Sequence, residues 1–169
     1  IESVPVTEIR AKAFAGSATL KSIIIGENVT VIGRWAFSGC TGLSSIEIPS
    51  GVTSIGELAF DNCSNLESIN VGDDNQYYSS EDGVLYDNGK TKIIQCPLGK
   101  AGSLAVARGV SSIDNYAFRS CGKITSVVFG NDVKSIGVGA FYNCTGLNAV
   151  TLPESISSIG DMAFYKCTN

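Results

Sequence analysis

Ala-Phe pairs recur at Ala13-Phe14, Ala36-Phe37, Ala59-Phe60, Ala117-Phe118, Ala140-Phe141 and Ala163-Phe164, and every step but one between successive phenylalanines is 23 residues. The exception, Phe60 to Phe118, spans 58 residues, one period plus 35 more. An internal period of this length is the mark of a solenoid, in which each unit is too small to bury its own apolar face and buries it against its copy in the next coil. A full copy, Val52 to Cys63, reads V-T-S-I-G-E-L-A-F-D-N-C, and no catalytic signature lies within it.

Aligned under one another, the copies form columns of nearly constant residue type. Ile23, Ile46, Ile69, Leu104, Val127 and Val150 make one, and Ile25, Ile48, Val71, Val106, Phe129 and Leu152 stand two residues further on. That alternation is the period of a strand with one face buried. Further columns hold Val6, Val29, Val52, Val110, Val133 and Ile156, then Ile9, Ile32, Ile55, Ile113, Ile136 and Ile159, then the phenylalanines. Stacked about 4.8 Å apart, each column becomes a ladder, and at about 1.5–3 kcal/mol per buried Ile, Leu or Phe the ladders dominate stability. The whole of 1–169 is expected to be one solenoid, with a partial first coil at 1–17 and the insertion at about 72–103.

Composition narrows the function. The net charge is −4, the only arginines are Arg10, Arg34, Arg108 and Arg119, and no basic cluster exists, so no nucleic-acid partner is expected. No apolar run is long enough to span a membrane. Charged residues are 17% of the chain, fewer than the usual quarter, which suits a Ser- and Gly-rich stacked array better than a cytosolic enzyme. Histidine is absent, which removes the commonest general base and metal ligand; neither a phosphate-binding glycine loop nor a G-x-S-x-G elbow occurs. No cofactor is expected. The chain opens within a repeat and stops at Cys167-Thr168-Asn169, so it is expected to be a fragment of a longer protein or a mature region without its leader.

Leu43-x-x-Ile46-x-Ile48-Pro49 and Leu147-x-x-Val150-x-Leu152-Pro153 open repeats of the kind that close on Ile32-Gly33-x-x-Ala36-Phe37-x-x-Cys40 and Ile136-Gly137-x-x-Ala140-Phe141-x-x-Cys144. On these residues the chain resembles the BspA-like, or Treponema-type, leucine-rich repeat, closely in five of its six coils. The resemblance implies an α/β solenoid: a right-handed leucine-rich repeat arc of about six 23-residue coils, with a parallel concave β-sheet, short helical or irregular convex legs and one β-hairpin insertion. Arg10 and Asp114 stand where Gly33, Gly56, Gly137 and Gly160 stand elsewhere. The glycine is therefore read as serving close packing or a turn, without requiring positive φ.

In the insertion, Asp87-Asn88-Gly89-Lys90 lies between the apolar runs Val84-Leu85-Tyr86 and Ile93-Ile94-Gln95-Cys96. Asn-Gly in that setting is a strong hairpin signal and places strands near Val84–Tyr86 and Lys92–Cys96. The hairpin is expected to bridge the third and fourth coils and extend the concave sheet; a disordered loop is the alternative, disfavoured because the segment is so apolar. Tyr77, Tyr78, Asp82 and Tyr86 are its candidate contact residues. Asp73, Asp74, Glu81, Asp82 and Asp87 gather there without the spacing of a calcium loop, so they read as a solvated acidic edge.

Cys40, Cys63, Cys121, Cys144 and Cys167 each follow a ladder phenylalanine by three residues. As small hydrophobes they make a thiol ladder. Disulfides between adjacent coils are the competing reading, disfavoured because five members cannot all pair, and the closely spaced Cys pairs of a metal site are missing. No metal is expected.

Strand alternation names the residues that face outward on the concave side: Ser22, Ser45, Ser68, Ser103, Ser126 and Ala149 in one column, Ile24, Glu47, Asn70, Ala105, Val128 and Thr151 in the next. Uniform serine fits tight coil spacing as well as it fits a binding face, whereas the second column varies coil by coil, as a binding surface should. Trp35, Tyr142 and Tyr165 lie on the other leg, beside the phenylalanines, and read as packing residues. The resemblance implies a non-enzymatic protein-binding module, extracellular or at the cell surface, that attaches to host matrix proteins such as fibronectin and fibrinogen or to other cells. Two further readings stay open. One is a structural spacer presenting another domain; the other is a carbohydrate-active enzyme, which needs two acids about 5–10 Å apart in a groove, where only Glu47 is at hand.

Overall fold

In the computed structural model, which describes residues 4–168, the repeat makes two parallel ladders where one sheet was expected. Residues 1–3 of the partial coil and Asn169 lie outside the described residues. The first ladder is the expected one, built from β3 (Ser45–Ile48), β5 (Ser68–Val71), β9 (Gly102–Ala105), β11 (Ile124–Val128) and β13 (Ala149–Thr151). In β3, Ile46 and Ile48 point into the core while Ser45 and Glu47 face out, and the register sets Ile46 against Ile69 and Val127 against Leu104 and Val150. Residues 22–25 are not in a strand, so this ladder begins one coil later than predicted.

The second ladder follows the isoleucine column. It consists of the two-residue strands β1 (Glu8–Ile9), β2 (Val31–Ile32), β4 (Ser54–Ile55), β10 (Ser112–Ile113), β12 (Ser135–Ile136) and β14 (Ser158–Ile159), with isoleucine opposite isoleucine at each step. A two-residue strand shows no period of its own, so only the stacking reveals it.

The turn legs contain no helix among the described residues; each is a chain of hydrogen-bonded turns. In the first coil Ala13 N bonds Arg10 O and Ser17 N bonds Phe14 O, both at 3.1 Å, and the third residue of each turn has positive φ: Lys12 at 61° and Gly16 at 78°. The pair recurs as Trp35 and Gly39, Leu58 and Asn62, Tyr116 and Ser120, Gly139 and Asn143, Met162 and Lys166. Two left-handed residues four positions apart exclude a right-handed helix. The column glycines lie elsewhere, at the first residue of the turn. A Cβ on Gly33 or Gly56 would stand 2.4 or 2.3 Å from a backbone nitrogen of the coil before, so close approach is what demands glycine there. Arg10 has no described coil behind it and so does not meet that constraint.

The insertion departs most from expectation. The predicted strands are present as β7 (Val84–Asp87) and β8 (Lys92–Gln95), and Asp87 Oδ1 closes the turn between them by accepting from the Thr91 and Lys92 amides at 2.7 and 2.8 Å. A third strand, β6 (Tyr78–Glu81), pairs antiparallel with β7 across Asp82-Gly83. Both loop residues have positive φ, 49° and 75°, as a type I′ hairpin requires. The sheet these strands extend is the second ladder, not the concave one: β8 runs parallel to β10 with Ile93 opposite Ile113. Asp114 N bonds Ile93 O as Gly56 N bonds Ile32 O, and Cys96 N bonds Ala117 O as Phe14 N bonds Ala36 O. Cys96 thus occupies a place in the phenylalanine column, and the solenoid has about seven stacked turns where the period alone suggested six.

The alternation of β7 divides the core. Leu85 belongs to a cluster with Ile32, Phe37, Phe60 and Ile69, while Val84 and Tyr86 belong to another with Ile93, Val110, Phe118 and Phe141. β7 is a wall buried on both faces. The first ladder is accordingly split into β3–β5 and β9–β11–β13, and at the edge of β5 the Ile69 amide bonds Gly83 O at 2.9 Å and the Val71 amide bonds Ser80 Oγ at 3.0 Å.

Candidate functional site

The outward face of the first ladder carries the predicted columns in two patches. Where β3 meets β5, Ser45 is opposite Ser68 and Glu47 opposite Asn70. In the second half Ser126 is flanked by Ser103 and Ala149, and Val128 by Ala105 and Thr151; Ser126 Oγ donates to Ser103 Oγ at 2.8 Å. All of these are exposed except Ser68 and Ser126, which are half-buried. Ser22 and Ile24 precede the ladder, and Ile24 is 97% exposed. The first patch is polar and carries Glu47; the second is uncharged, setting Ala105, Ala149 and Val128, which is 58% exposed, among the hydroxyls of Ser103, Ser126 and Thr151. An amide opposes the lone acid, so these columns hold no carboxylate pair of the kind glycoside hydrolysis uses.

The insertion residues are not brought together as one contact surface. Tyr86 is 3% exposed and is a core residue, which corrects its reading as a contact: as an inward position of β7 it packs with the second cluster, and burial, then the nearby Glu81, pushes its phenol up to about 12. Tyr78 is half-buried, its hydroxyl accepting the Ile55 amide at 2.9 Å. Tyr77 remains outside, 54% exposed. Asp82 is exposed at the hairpin tip beside the serine column, for a Cβ on Gly83 would lie 2.8 Å from that of Ser68; Lys100 Nζ caps the Asp82 carbonyl. The acidic edge is partly engaged too, Asp87 in its turn and Glu81 with Lys90 at 2.9 Å.

Sequence reasoning passed over Asn75, which is buried and fully used. Its amide nitrogen donates to Pro49 O and Val52 O at 2.9 and 3.0 Å, and its Oδ1 accepts from the Tyr77 and Tyr78 amides at 2.8 Å. It ties the start of the insertion to the coil before it. An asparagine inside an acidic, polar run offers no pattern that would mark it.

On the turn face the phenylalanines stack, Phe14 to Phe37 at 5.2 Å, Phe37 to Phe60 at 5.7 Å, Phe118 to Phe141 at 4.6 Å and Phe141 to Phe164 at 5.1 Å. The column thiols are free, and all but Cys121 bond to phenylalanine carbonyls: Cys63 Sγ donates to Phe37 O at 3.1 Å and Cys144 Sγ to Phe118 O at 2.9 Å. Burial pushes both thiols up to about 12, so they stay protonated and are poor nucleophiles. Trp35 and Tyr142 are half-buried, as packing residues would be, but Tyr165 is exposed. Across the interruption Arg119 pairs with the buried Asp61 and lies 5.6 Å from the Tyr142 ring centre.

Comparison with known proteins agrees with this architecture. The family described as BspA type leucine-rich repeat region matches in six copies, over residues 7–105 and 111–169. A leucine-rich repeat protein from Eubacterium ventriosum is 28% identical with a TM-score of 0.79, over 85% of this chain and 38% of that one. A leucine-rich cell surface protein from Faecalibacterium prausnitzii is 30% identical with a TM-score of 0.73, over 94% and 48%. The pneumococcal vaccine antigen PcpA, 24% identical over 95% and 46% with a TM-score of 0.78, shares the fold. The chain spans less than half the length of each of these structures. No match is found among curated proteins.

Proposed function

Because the chain belongs to the BspA-type leucine-rich repeat family, we propose that it is a protein-binding module of a cell-surface protein, acting without catalysis and outside the cell. The observation that carries this reading is the outward face of the first ladder. Its backbone is held in register by the stacked core, while its second column changes from Glu47 and Asn70 to Ala105, Val128 and Thr151. A rigid frame with variable outward positions is how repeat proteins make extended binding surfaces. The name of the Faecalibacterium protein supports surface display. The partner is a protein that meets both patches, a charged one around Glu47 and an uncharged one around Val128, and a host matrix protein is the partner class we assign.

Surface plasmon resonance on immobilised fibronectin and fibrinogen tests this. The chain should bind at least one of them saturably, and the combined change Glu47→Ala, Asn70→Ala, Thr151→Ala should weaken binding tenfold or more. Absence of saturable binding by the unaltered chain removes the matrix reading; binding that the triple variant retains in full moves the contact off this face.

A further inference from the structure

Among the main-chain bonds that close each regular interface on the turn face, one recurs at the start of the leg. Lys12 N donates to Arg34 O at 3.1 Å, Trp35 N to Glu57 O at 3.3 Å, Tyr116 N to Val138 O at 3.0 Å and Gly139 N to Asp161 O at 2.9 Å. At the interruption the corresponding donor and acceptor, Leu58 N and Asn115 O, lie on either side of the rung formed by β8. Among the described residues neither group has a hydrogen-bond partner. A cleft of about 280 Å³ opens there, with Ile55–Leu58 on one lip, Asp114–Tyr116 on the other, and Ile94 and Gln95 as its floor. The rung formed by β8 leaves this part of the interface unfilled, since the chain turns away after Cys96 into Pro97.

We propose that this cleft is a second binding site, which takes a short extended segment of polypeptide from a partner protein as a missing rung of the solenoid. A peptide carbonyl accepts the Leu58 N–H and a peptide N–H donates to the Asn115 carbonyl, which is strand addition applied to a turn ladder. Two observations select this occupant. Of the main-chain groups left unpaired at the interruption, the two that line the cleft are one donor and one acceptor on opposite lips, the complement of a single peptide unit. The lip carboxylates are already engaged, Glu57 with Arg34 at 2.9 Å and Asp114 facing Lys92 at 3.8 Å, so recognition falls to main-chain groups. The site lies on the turn leg, and the outward columns of the first ladder contribute nothing to it.

The test uses the whole chain and a fluorescein-labelled octapeptide of alternating Thr and Val with blocked ends, beside the same peptide N-methylated at alternate amides. Fluorescence anisotropy should show saturable binding of the first and at least tenfold weaker binding of the second. Amide hydrogen exchange should slow at Leu58 when the peptide is added and stay unchanged at Tyr116, whose amide already bonds Val138. Gln95→Trp, which fills the floor, should abolish the peptide's effect; the Glu47, Asn70, Thr151 triple variant should leave it intact. No saturable binding, equal binding of the N-methylated peptide, or protection confined to β3 and β5 overturns the proposal. So does protection of the Leu58 amide by cellohexaose in place of the peptide, which would make the cleft a sugar site. Because the matrix-protein experiment reads the opposite face, either result can fail without the other.

Discussion

The interface between the second and third coils and the one that follows it are built under the same stacking rule and meet it by different means. In the first, like meets like: Ile32 lies opposite Ile55, Phe37 stacks on Phe60, and Cys63 donates to the Phe37 carbonyl. In the second, no phenylalanine follows Phe60. A hairpin crosses the stack, β7 is buried on both faces, and side chains take over bonds that backbone makes elsewhere: the Tyr78 hydroxyl for the Ile55 amide, Ser80 Oγ for the Val71 amide, Asn75 for two carbonyls. A periodic stack satisfies its polar groups by repetition. An interruption needs particular residues, because an unpaired buried amide costs about 1–3 kcal/mol.

The largest expected effects test the wall. Tyr86→Ala should cost about 3–5 kcal/mol and Leu85→Ala about 2–5 kcal/mol, as large-to-small core changes do, read from chemical denaturation. Their distribution should differ. Because Leu85 packs only with the first cluster, its loss should speed amide exchange at Ile46 and Ile69 more than at Phe118 and Phe141, and Tyr86→Ala should do the reverse. Equal loosening of both halves by both variants would mean that β7 does not separate two cores.

Next come two members of one column. Ile32→Ala removes a fully buried side chain with copies on both sides and should cost about 2–5 kcal/mol. Ile55, with a copy on one side and the cleft on the other, is half-buried, and its replacement should cost less than about 2 kcal/mol. Matching denaturation midpoints for the two variants would show that the third interface is as well packed as the second.

The regular parts of the fold were legible because repetition multiplies a weak signal: six copies of an isoleucine, each ambiguous alone, define a buried column. The outward columns were legible for the same reason, through the alternation of β3 and its partners. What repetition does not mark was missed. The two positive-φ positions of each turn leg hold Lys12, Trp35, Leu58, Tyr116, Gly139 and Met162 at one place, with no residue type in common, so the sequence hid the feature that forbids a helix. Tyr86 was misplaced because a strand buried on both faces reads Val-Leu-Tyr, with no polar residue to show which side faces water. The Asp82-Gly83 turn carries as strong a hairpin signal as Asn88-Gly89 and was overlooked beside it.

A smaller effect concerns the thiols. Burial holds Cys63 and Cys144 at about 12, against about 8.5 for an unfolded thiol. With the folded value above the unfolded one, the stability they contribute is fully present below about pH 8.5 and is lost as pH rises toward the folded value. Cys63→Ala should therefore flatten the fall in stability on the alkaline side while lowering it at pH 7 by on the order of 1 kcal/mol. Cys121, whose acceptor is the Cys96 carbonyl at 3.6 Å in place of a phenylalanine carbonyl at 3.1 Å, should cost less at pH 7 when changed to alanine. A larger loss at Cys121 would show that the interrupted interface leans on its thiol more than the regular one does.

The smallest effect bears on the turn legs that both kinds of interface share. Met162 has φ of 54° and is 62% exposed, so it bears the strain of a left-handed residue and gains little packing in return. Left-handed backbone costs an L-residue about 1–2 kcal/mol, and glycine gives back about 0.5–1 kcal/mol through its freer unfolded chain. Met162→Gly should thus stabilise the chain by about 0.5–1 kcal/mol. Met162→Ala keeps the Cβ that causes the strain and should bring no gain, which separates backbone relief from the loss of an exposed apolar side chain. The equivalent position one coil earlier is already Gly139, where a Cβ would lie 2.6 Å from the Tyr116 ring, so Gly139→Ala should destabilise. If Met162→Gly and Met162→Ala shift the thermal midpoint alike, the turn legs bear no left-handed strain and the missing helix needs another cause.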